Sequence, residues 1–309
     1  MPEVCEVALT ALYLNDKLKN MKLKKVEILG GRYKRNHPSW FDDLNSNLPL
    51  TLKEIDSKGK QMWFKFKNNT YMMSHFGMEG RWSFKKDHHA NIKLTLKKGT
   101  KETFLYFVDH RNFGRLDYLD KESDFNDSKD SIGPDFLKED FSSQDLKDRM
   151  EKYMYRKGKI VKSRKEKPIL KVLMEGQKKS DGIGSGIGNY LAAEILYRAK
   201  IAPTTTVYKI YESNNALKDL TDSIKFVIKA SYLTNKTGYI EHIKEYASKI
   251  REKIKSGKAP NYHSSVDIGD KEFCFKVYRK NKDPLGNKVL RGKVIKSRTI
   301  YWVPTVQTF

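Results

Sequence analysis

Pro2, Glu3 and Glu6 stand at the head of the chain, in the run Met1-Pro2-Glu3-Val4-Cys5-Glu6. Removal of Met1 would leave Pro2 with a free secondary amine. An α-amine titrates near ~7.7–8.0, so a sizeable fraction of it is an unprotonated nucleophile at neutral pH. Such an amine can attack a sugar aldehydic carbon and form an iminium, which is covalent catalysis through a Schiff base. Glu3 beside it is a candidate proton donor, and Glu6 lies one turn further on. The same residues also have a plainer reading: many chains begin Met-Pro, and acidic side chains commonly occupy the first turn of a helix.

The residues that follow must position this terminus. Val7, Ala11, Leu14, Leu18 and Met21 recur at intervals of four and three, which predicts an amphipathic helix packed on a core. From about Val26 to Leu119 short alternating runs such as Ile92-Leu94-Leu96 and Phe104-Tyr106-Val108 predict strands of an antiparallel sandwich or barrel. Within it sit three polar stretches, Ser57–Gln61, Ser74–Gly80 and Val108–Arg115. Residues 120–148 are acidic, poor in apolar side chains and contain Gly133-Pro134, the pattern of an interdomain connection.

Helical periodicity resumes near Ile169. Glycines 182, 184, 186 and 188 then lead into Asn189–Lys200, a predicted helix closed by Pro203. A glycine-rich turn feeding a helix offers backbone N–H groups and a positive dipole end to a phosphate, although it also reads as a structural turn. Its spacing fits neither GxGxxG nor GxxxxGK. Leu217, Leu220, Ile224 and Ile228 form the inner face of a further helix, and Lys253–Lys258 reads as a solvated connection. Residues 231–265 carry no readable pattern. Phe273–Tyr278 and Arg298–Val303, around a turn at Pro284–Asn287, predict β-hairpins with exposed basic residues.

Composition narrows the partners. Lysine and arginine number 61 against 38 aspartates and glutamates, a net charge of +23, which points to a polyanion. No apolar run of ~20 residues suggests a membrane-spanning helix, and the acidic start does not suit a secretory signal. Cys5 and Cys274 cannot make a disulfide framework or a CxxC zinc pair, so two reduced thiols in an intracellular protein are expected. The seven histidines show no metal-binding spacing, and no metal or cofactor is expected.

With these residues assembled, the chain resembles the formamidopyrimidine-DNA glycosylase / endonuclease VIII family over nearly its whole length. Pro2-Glu3-x-x-Glu6 resembles the family's N-terminal signature, with Val4-Cys5 in place of Gly-Pro. Lys60 falls at its β-hairpin lysine, Ser74–Gly80 is similar to S-H-x-G-M-x-G, and Asp109–Gly114 to D-x-R-x-F-G, with Asn112 at an often basic position. Ile132-Gly133-Pro134-Asp135 matches the interdomain G-P-[DE], and Gly186–Glu194 resembles the helix–two-turn–helix motif. Val277-Tyr278 with Pro284 resembles the opening of the family's zinc finger, and Arg298-Thr299-Ile300 its tip, yet the four cysteines are missing. The closest resemblance is to the zincless-finger subgroup, which includes the vertebrate endonuclease VIII-like 1 enzymes.

The resemblance implies an α+β multidomain fold. An N-terminal helix and β-sandwich domain would occupy 1–120, an acidic linker 121–148, a helical DNA-binding domain 149–265 and a zincless finger 266–309. It implies a monomer acting on double-stranded DNA with oxidised bases or abasic sites, nuclear if the source is eukaryotic. The activity would be that of a bifunctional glycosylase and abasic-site lyase. Pro2 would attack C1′ of an extruded nucleotide, Glu3 would serve as general acid, and Glu6 would orient the terminus. Lys60 and Arg298 would grip phosphates, with Asn189, His75 and Tyr278 assisting. Met78, Arg111 and Phe113 would fill the vacated space, although Met78 and Phe113 also read as sheet core. Two rivals are a catalytically silent DNA-binding protein on this scaffold and an unrelated glycosylase with a helix–hairpin–helix and its nucleophile elsewhere.

Overall fold

The computed structural model describes residues 2–176, 181–235, 244–258, 266–269, 272–295 and 298–309. In chain order the elements are α1 (Val4–Leu18), β1 (Lys22–Ile28), α2 (Gly31–Arg35), α3 (Ser39–Ser46), β2 (Leu50–Lys58) and β3 (Gln61–Phe66). Then come β4 (Tyr71–His75), β5 (Arg81–Ser83), β6 (Ala90–Lys98), β7 (Lys101–Val108), β8 (Arg115–Leu119) and α4 (Glu122–Asp130). The later elements are α5 (Ser143–Met154), β9 (Tyr155–Arg156), β10 (Lys159–Ile160), α6 (Lys162–Lys165), α7 (Ile169–Glu175) and α8 (Asn189–Arg198). They close with α9 (Val207–Tyr211), α10 (Asn214–Thr234), α11 (Lys244–Lys255), β11 (Leu290–Ile295) and β12 (Arg298–Trp302). The chain divides into two units, one of Pro2 with Glu6–Asp130 and one of Glu3–Cys5 with Ser131–Phe309.

The first unit is built on one antiparallel sheet in the order β5-β7-β6-β1-β2-β3-β4-β8. Its middle joint is slight: β1 meets β2 only at Lys22↔Thr51 and Leu23↔Leu50. The sheet therefore behaves as two four-stranded halves that share one core. Leu94, Leu96, Leu105 and Phe107 of one half join Leu52, Phe64, Phe66 and Met72 of the other. Phe64 and Trp82 meet edge to face at 5.3 Å across the halves, and the Trp82 indole donates to Ser74 Oγ at 3.0 Å. β5 and β8 remain edges, so the sheet is a sandwich and does not close into a barrel. The α1 stripe of Val7, Ala11, Leu14 and Leu18 packs into this core as its periodicity predicts.

Two details depart from the sequence pattern. In β7 the core face carries Leu105 and Phe107, opposite Leu94 and Ile92. Tyr106 and Val108 instead pack on the other face with Ala90, and Phe104 is exposed. Both faces of β7 are apolar, so alternation alone could not choose between them. The acidic stretch also contains structure. In α4 a single aromatic, Phe125, stacks on Tyr71 at 3.8 Å and meets Trp63 at 5.2 Å. Glu122 accepts from the Tyr71 hydroxyl at 2.9 Å. α5 then opens on a Ser142/Asp145 capping box.

In the second unit, Leu217, Leu220, Ile224 and Ile228 are buried along α10 as expected. Lys253 and Lys255, read as a solvated connection, lie in the last turn of α11. Phe273–Tyr278, read as a strand, has no ladder. Its N–H groups at 276–278 are taken up by a carboxylate described below, which leaves them unavailable for strand pairing. Among the described residues of 266–309 one hairpin forms, β11 with β12, in the register Leu290↔Trp302, Arg291↔Tyr301 and Gly292↔Ile300. Among the described residues no helix is long and apolar enough to cross a membrane.

Trp82 joins the two halves by ring packing and by its N–H, so Trp82→Ala is expected to destabilise the fold by about 3–5 kcal/mol. Urea unfolding measures this, and an unchanged midpoint would remove the contact from the core.

Candidate functional site

The first residue to place is Glu3, because its carboxylate lies against the start of α8. The helix N-cap is Gly188, whose lack of a side chain leaves the first N–H groups uncapped by their own residue. Glu3 supplies the missing acceptor from 185 residues away. Its Oε2 accepts from Gly188 N at 2.6 Å and Leu191 N at 3.3 Å, and its Oε1 from Tyr190 N at 2.9 Å. The carboxylate also meets the positive end of the helix dipole. Glu3 is 1% exposed.

Val4 completes the attachment, its N–H donating to Gly186 O at 3.1 Å. Gly186 has φ +99°, and a Cβ there would lie 2.5 Å from Val4 Cβ, so glycine is needed on both counts. The helix start offered to a phosphate by the sequence is therefore filled by an internal carboxylate. Pro2, bonded to Glu3, is buried, as is Glu6, whose backbone carbonyl accepts from Thr10 Oγ1 at 2.7 Å.

The rest of α8 carries the C-terminal hairpin. Asn189 donates its side-chain amide to Thr299 O in β12 at 2.8 Å. Glu194, 4% exposed, accepts from the N–H groups of Lys276, Val277 and Tyr278 at 2.9, 3.1 and 2.8 Å. Burial raises the Glu194 carboxyl above its ordinary pKa, against the lowering effect of those three donors. Tyr278 packs against Phe275, Tyr301 and Tyr190. Burial raises its phenol, and the nearby Glu3 carboxylate adds to the rise. Arg298 begins β12, its backbone in register with Ile295; its side chain lies outside the described residues.

In the first unit, Lys60 sits in the Gly59-Lys60 turn that joins β2 to β3. His75 ends β4, where its Nδ1 accepts from Gly77 N at 3.1 Å. The turn that follows touches the Asp109–Gly114 turn. A Cβ on Gly77, at φ +61°, would lie 2.5 Å from the Phe113 carbonyl carbon.

Asp109 shapes the second turn by accepting from Arg111 N at 3.2 Å and Gly114 N at 2.6 Å. Asn112, at φ +58°, faces inward and accepts from Arg32 N and Asn91 Nδ2, each at 3.0 Å. This inward hydrogen bonding ties the Asn112 amide to α2 and β6. Arg111 lies 3.7 Å from Glu79 and over the Phe113 ring at 5.1 Å. Met78 and Phe113 are 38% and 52% exposed, so neither is sheet core.

The sequence reading thus missed three positions: Gly186, the Glu194 cradle, and Asp109 as the organiser of its turn. Asp109 had a local signal in the glycine five residues on at 114, and Gly186 and Glu194 stood within the glycine-rich turn and its helix, but their partners Val4 and 276–278 lie far away in sequence.

An antiparallel sandwich, a helical unit with a hairpin near the end of the chain, and Pro2 bonded to a helix-bound glutamate together define an α+β fold of two units. Residues 1–116 match the formamidopyrimidine-DNA glycosylase N-terminal domain, and residues 264–308 its C-terminal domain. The formamidopyrimidine-DNA glycosylase of Ligilactobacillus salivarius is 28% identical over 295 residues, 92% of this chain and 90% of the relative. That of Ureaplasma parvum is 31% identical over 213 residues, 66% of this chain and 69% of the relative.

The chain belongs to the formamidopyrimidine-DNA glycosylase family, enzymes of base excision repair. The fold agrees with the Lactococcus lactis enzyme bound to DNA containing an abasic site, at TM-score 0.68, 20% identity, and coverage of 99% and 100% of the two chains. It also agrees with the Thermus thermophilus protein, at TM-score 0.70, 21% identity, and coverage of 99% and 98%.

Gly186→Ala forces a side chain into a left-handed conformation and onto Val4. Urea titration is expected to show a loss on the order of 1–3 kcal/mol, and an unchanged midpoint would mean that this contact does not fix the N-terminal segment.

Proposed function

We propose that this chain is a bifunctional DNA glycosylase and abasic-site lyase acting on oxidised pyrimidines and formamidopyrimidines. The damaged nucleotide leaves the stack, because C1′ is inaccessible within the duplex. The Pro2 nitrogen bonds to C1′ as the base departs with its bonding electrons. Glu3 takes up the proton that the Pro2 nitrogen loses on bonding and delivers it to the sugar ring oxygen or to the leaving base, and ring opening gives the iminium. Loss of a C2′ proton expels the 3′ phosphate, a second elimination expels the 5′ phosphate, and water then releases the enzyme amine.

The observation that carries the reading is the fixation of Glu3, the residue bonded to Pro2, by three backbone donors of α8. Membership of the glycosylase family supplies the reaction class. Lys60 and Arg298 hold phosphates beside the lesion, with Asn189, His75 and Tyr278 assisting. Met78, Arg111 and Phe113 occupy the vacated stack, an assignment their exposure favours. Glu6 orients the terminus. The hairpin works without metal, as in the zincless-finger subgroup, and the enzyme acts as a monomer on double-stranded DNA. The boundaries at 120, 148 and 265 serve as working limits for the catalytic domain, linker, helical domain and finger.

Borohydride treatment with abasic-site duplex is expected to trap a covalent adduct with the processed chain. A chain carrying an N-terminal extension, in which the Pro2 nitrogen is an amide, is expected to give none. If the processed chain gives no adduct, a silent DNA-binding protein becomes the better reading. Arg298→Ala is expected to weaken single-turnover cleavage by about 10–100-fold, the worth of one charge-assisted hydrogen bond, with circular dichroism unchanged. Full activity would take the hairpin arginine out of the mechanism.

A further inference from the structure

Among its described residues the C-terminal hairpin shows no cluster that could hold a metal, yet it is ordered by a set of interactions of its own. Cys5 and Cys274 are the chain's two thiols. Among the described residues no three histidine, cysteine, aspartate or glutamate side chains gather where they could bind an ion. The four-cysteine site of the family's finger does not fit these residues.

What stands there is Asp283. It is 5% exposed and its carboxylate takes four hydrogen bonds. Oδ1 accepts from Leu285 N at 2.9 Å and Asn287 N at 2.8 Å, closing the 283–287 turn. Oδ2 accepts from Asn287 Nδ2 and from the Tyr197 hydroxyl, each at 3.0 Å. The Tyr197 bond is the one that leaves the turn, because Tyr197 belongs to α8. Around it Val277, Val289 and Val303 pack on Ala193 of the same helix, with Tyr278, Tyr301 and Val306 closing in. Three consecutive turns of α8 thus hold the hairpin. Asn189 grips Thr299 O, Glu194 grips the N–H groups of 276–278, and Tyr197 grips Asp283.

We propose that Asp283, held by Tyr197, is the positioning residue that does in this finger what a bound metal does in others. It closes the turn, ties it to α8, and so keeps β11 and β12 in place beside Asn189. Removing it frees the hairpin's register on the helix without touching the N-terminal residues. The importance of that register for activity rests on the function proposed above; the lock itself does not.

The titration of the pair is consistent with a permanent lock. Burial and the Asp283 hydrogen bond push the Tyr197 phenol up to about 12. Burial alone would raise the Asp283 carboxyl, but the bonds from Asn287, Tyr197 and Leu285 outweigh it and hold the carboxyl below its ordinary value. A raised phenol contributes stability that is full below its unfolded value near ~10 and lost as pH rises through the folded value. A lowered carboxyl contributes stability present above ~3.9 and lost as pH falls. The bond therefore persists across the neutral range.

Hydrogen exchange of the full-length protein tests this, with and without a zinc chelator. In the wild type the amides of 290–293 and 299–302 are expected to be protected equally in both conditions. Asp283→Ala is expected to lower that protection at least about 10-fold while α10 exchanges as before, and Asp283→Asn, which keeps the Oδ1 bonds, to restore part of it. Tyr197→Phe keeps the turn but releases it from α8, so it is the deciding variant if Asp283→Ala fails to fold.

In single-turnover cleavage of abasic-site duplex, Asp283→Ala is expected to raise the half-saturating enzyme concentration about 10-fold, with the maximal rate nearly retained. Unchanged exchange in Asp283→Ala, or in Tyr197→Phe, overturns the lock, as does loss of protection on chelation. A wild type that exchanges as expected but cleaves nothing overturns the proposed activity and leaves the lock standing.

Discussion

A carboxylate near one end of the chain capping a helix begun 185 residues later is the constraint on which the second unit's site depends. Helix α8 starts at a glycine that cannot cap it, in a segment whose glycines give flexibility but no acceptor. Glu3 fills that need with both oxygens, at 1% exposure, and brings the peptide bond to Pro2 with it. The nucleophile proposed at Pro2 would otherwise belong to a fraying end. Here the next residue is fixed by three hydrogen bonds, and Val4 is fixed by a fourth to Gly186. Leaving such donors unmatched in a buried place costs about 1–3 kcal/mol each.

From that end, α8 acts as a frame. Its N-terminus binds Glu3, and along its side Asn189, Glu194 and Tyr197 hold the hairpin whose second strand begins with Arg298 and the segment that leads into it. In the first unit a comparable economy is seen at Asp109. One carboxylate folds the turn that carries Arg111 and Phe113, and Gly77 lets the neighbouring turn with Met78 approach it closely. Acidic residues in this basic chain thus organise loops, while Lys60 and Arg111 sit in turns between strands.

The legible parts of the fold were those with a local period. The α1 stripe, the α10 face and the start of α8 at Asn189 could be read because burial repeats along a helix. β7 showed its strand but not its core face, since Tyr106 and Val108 are as apolar as Leu105 and Phe107. Phe273–Tyr278 has strand composition, but the N–H groups of 276–278 belong to Glu194 and that of Phe273 to Thr234 Oγ1, partners no local pattern reveals. The acidic stretch hid α4 because one aromatic, Phe125, does the packing. For the site, the residue types at Pro2, Glu3, Lys60 and Arg298 were visible from sequence. What Glu3 binds, and what Asp283 holds together, are long-range facts that spacing does not encode.

The proposed mechanism is tested most directly by mapping the covalent bond itself. A borohydride-reduced complex with abasic-site DNA is digested with protease and nuclease, and the modified peptide is sequenced by mass spectrometry. The account predicts a sugar remnant on the nitrogen of Pro2 in the N-terminal peptide. A remnant on a lysine side chain, with the N-terminal peptide unmodified, would contradict it.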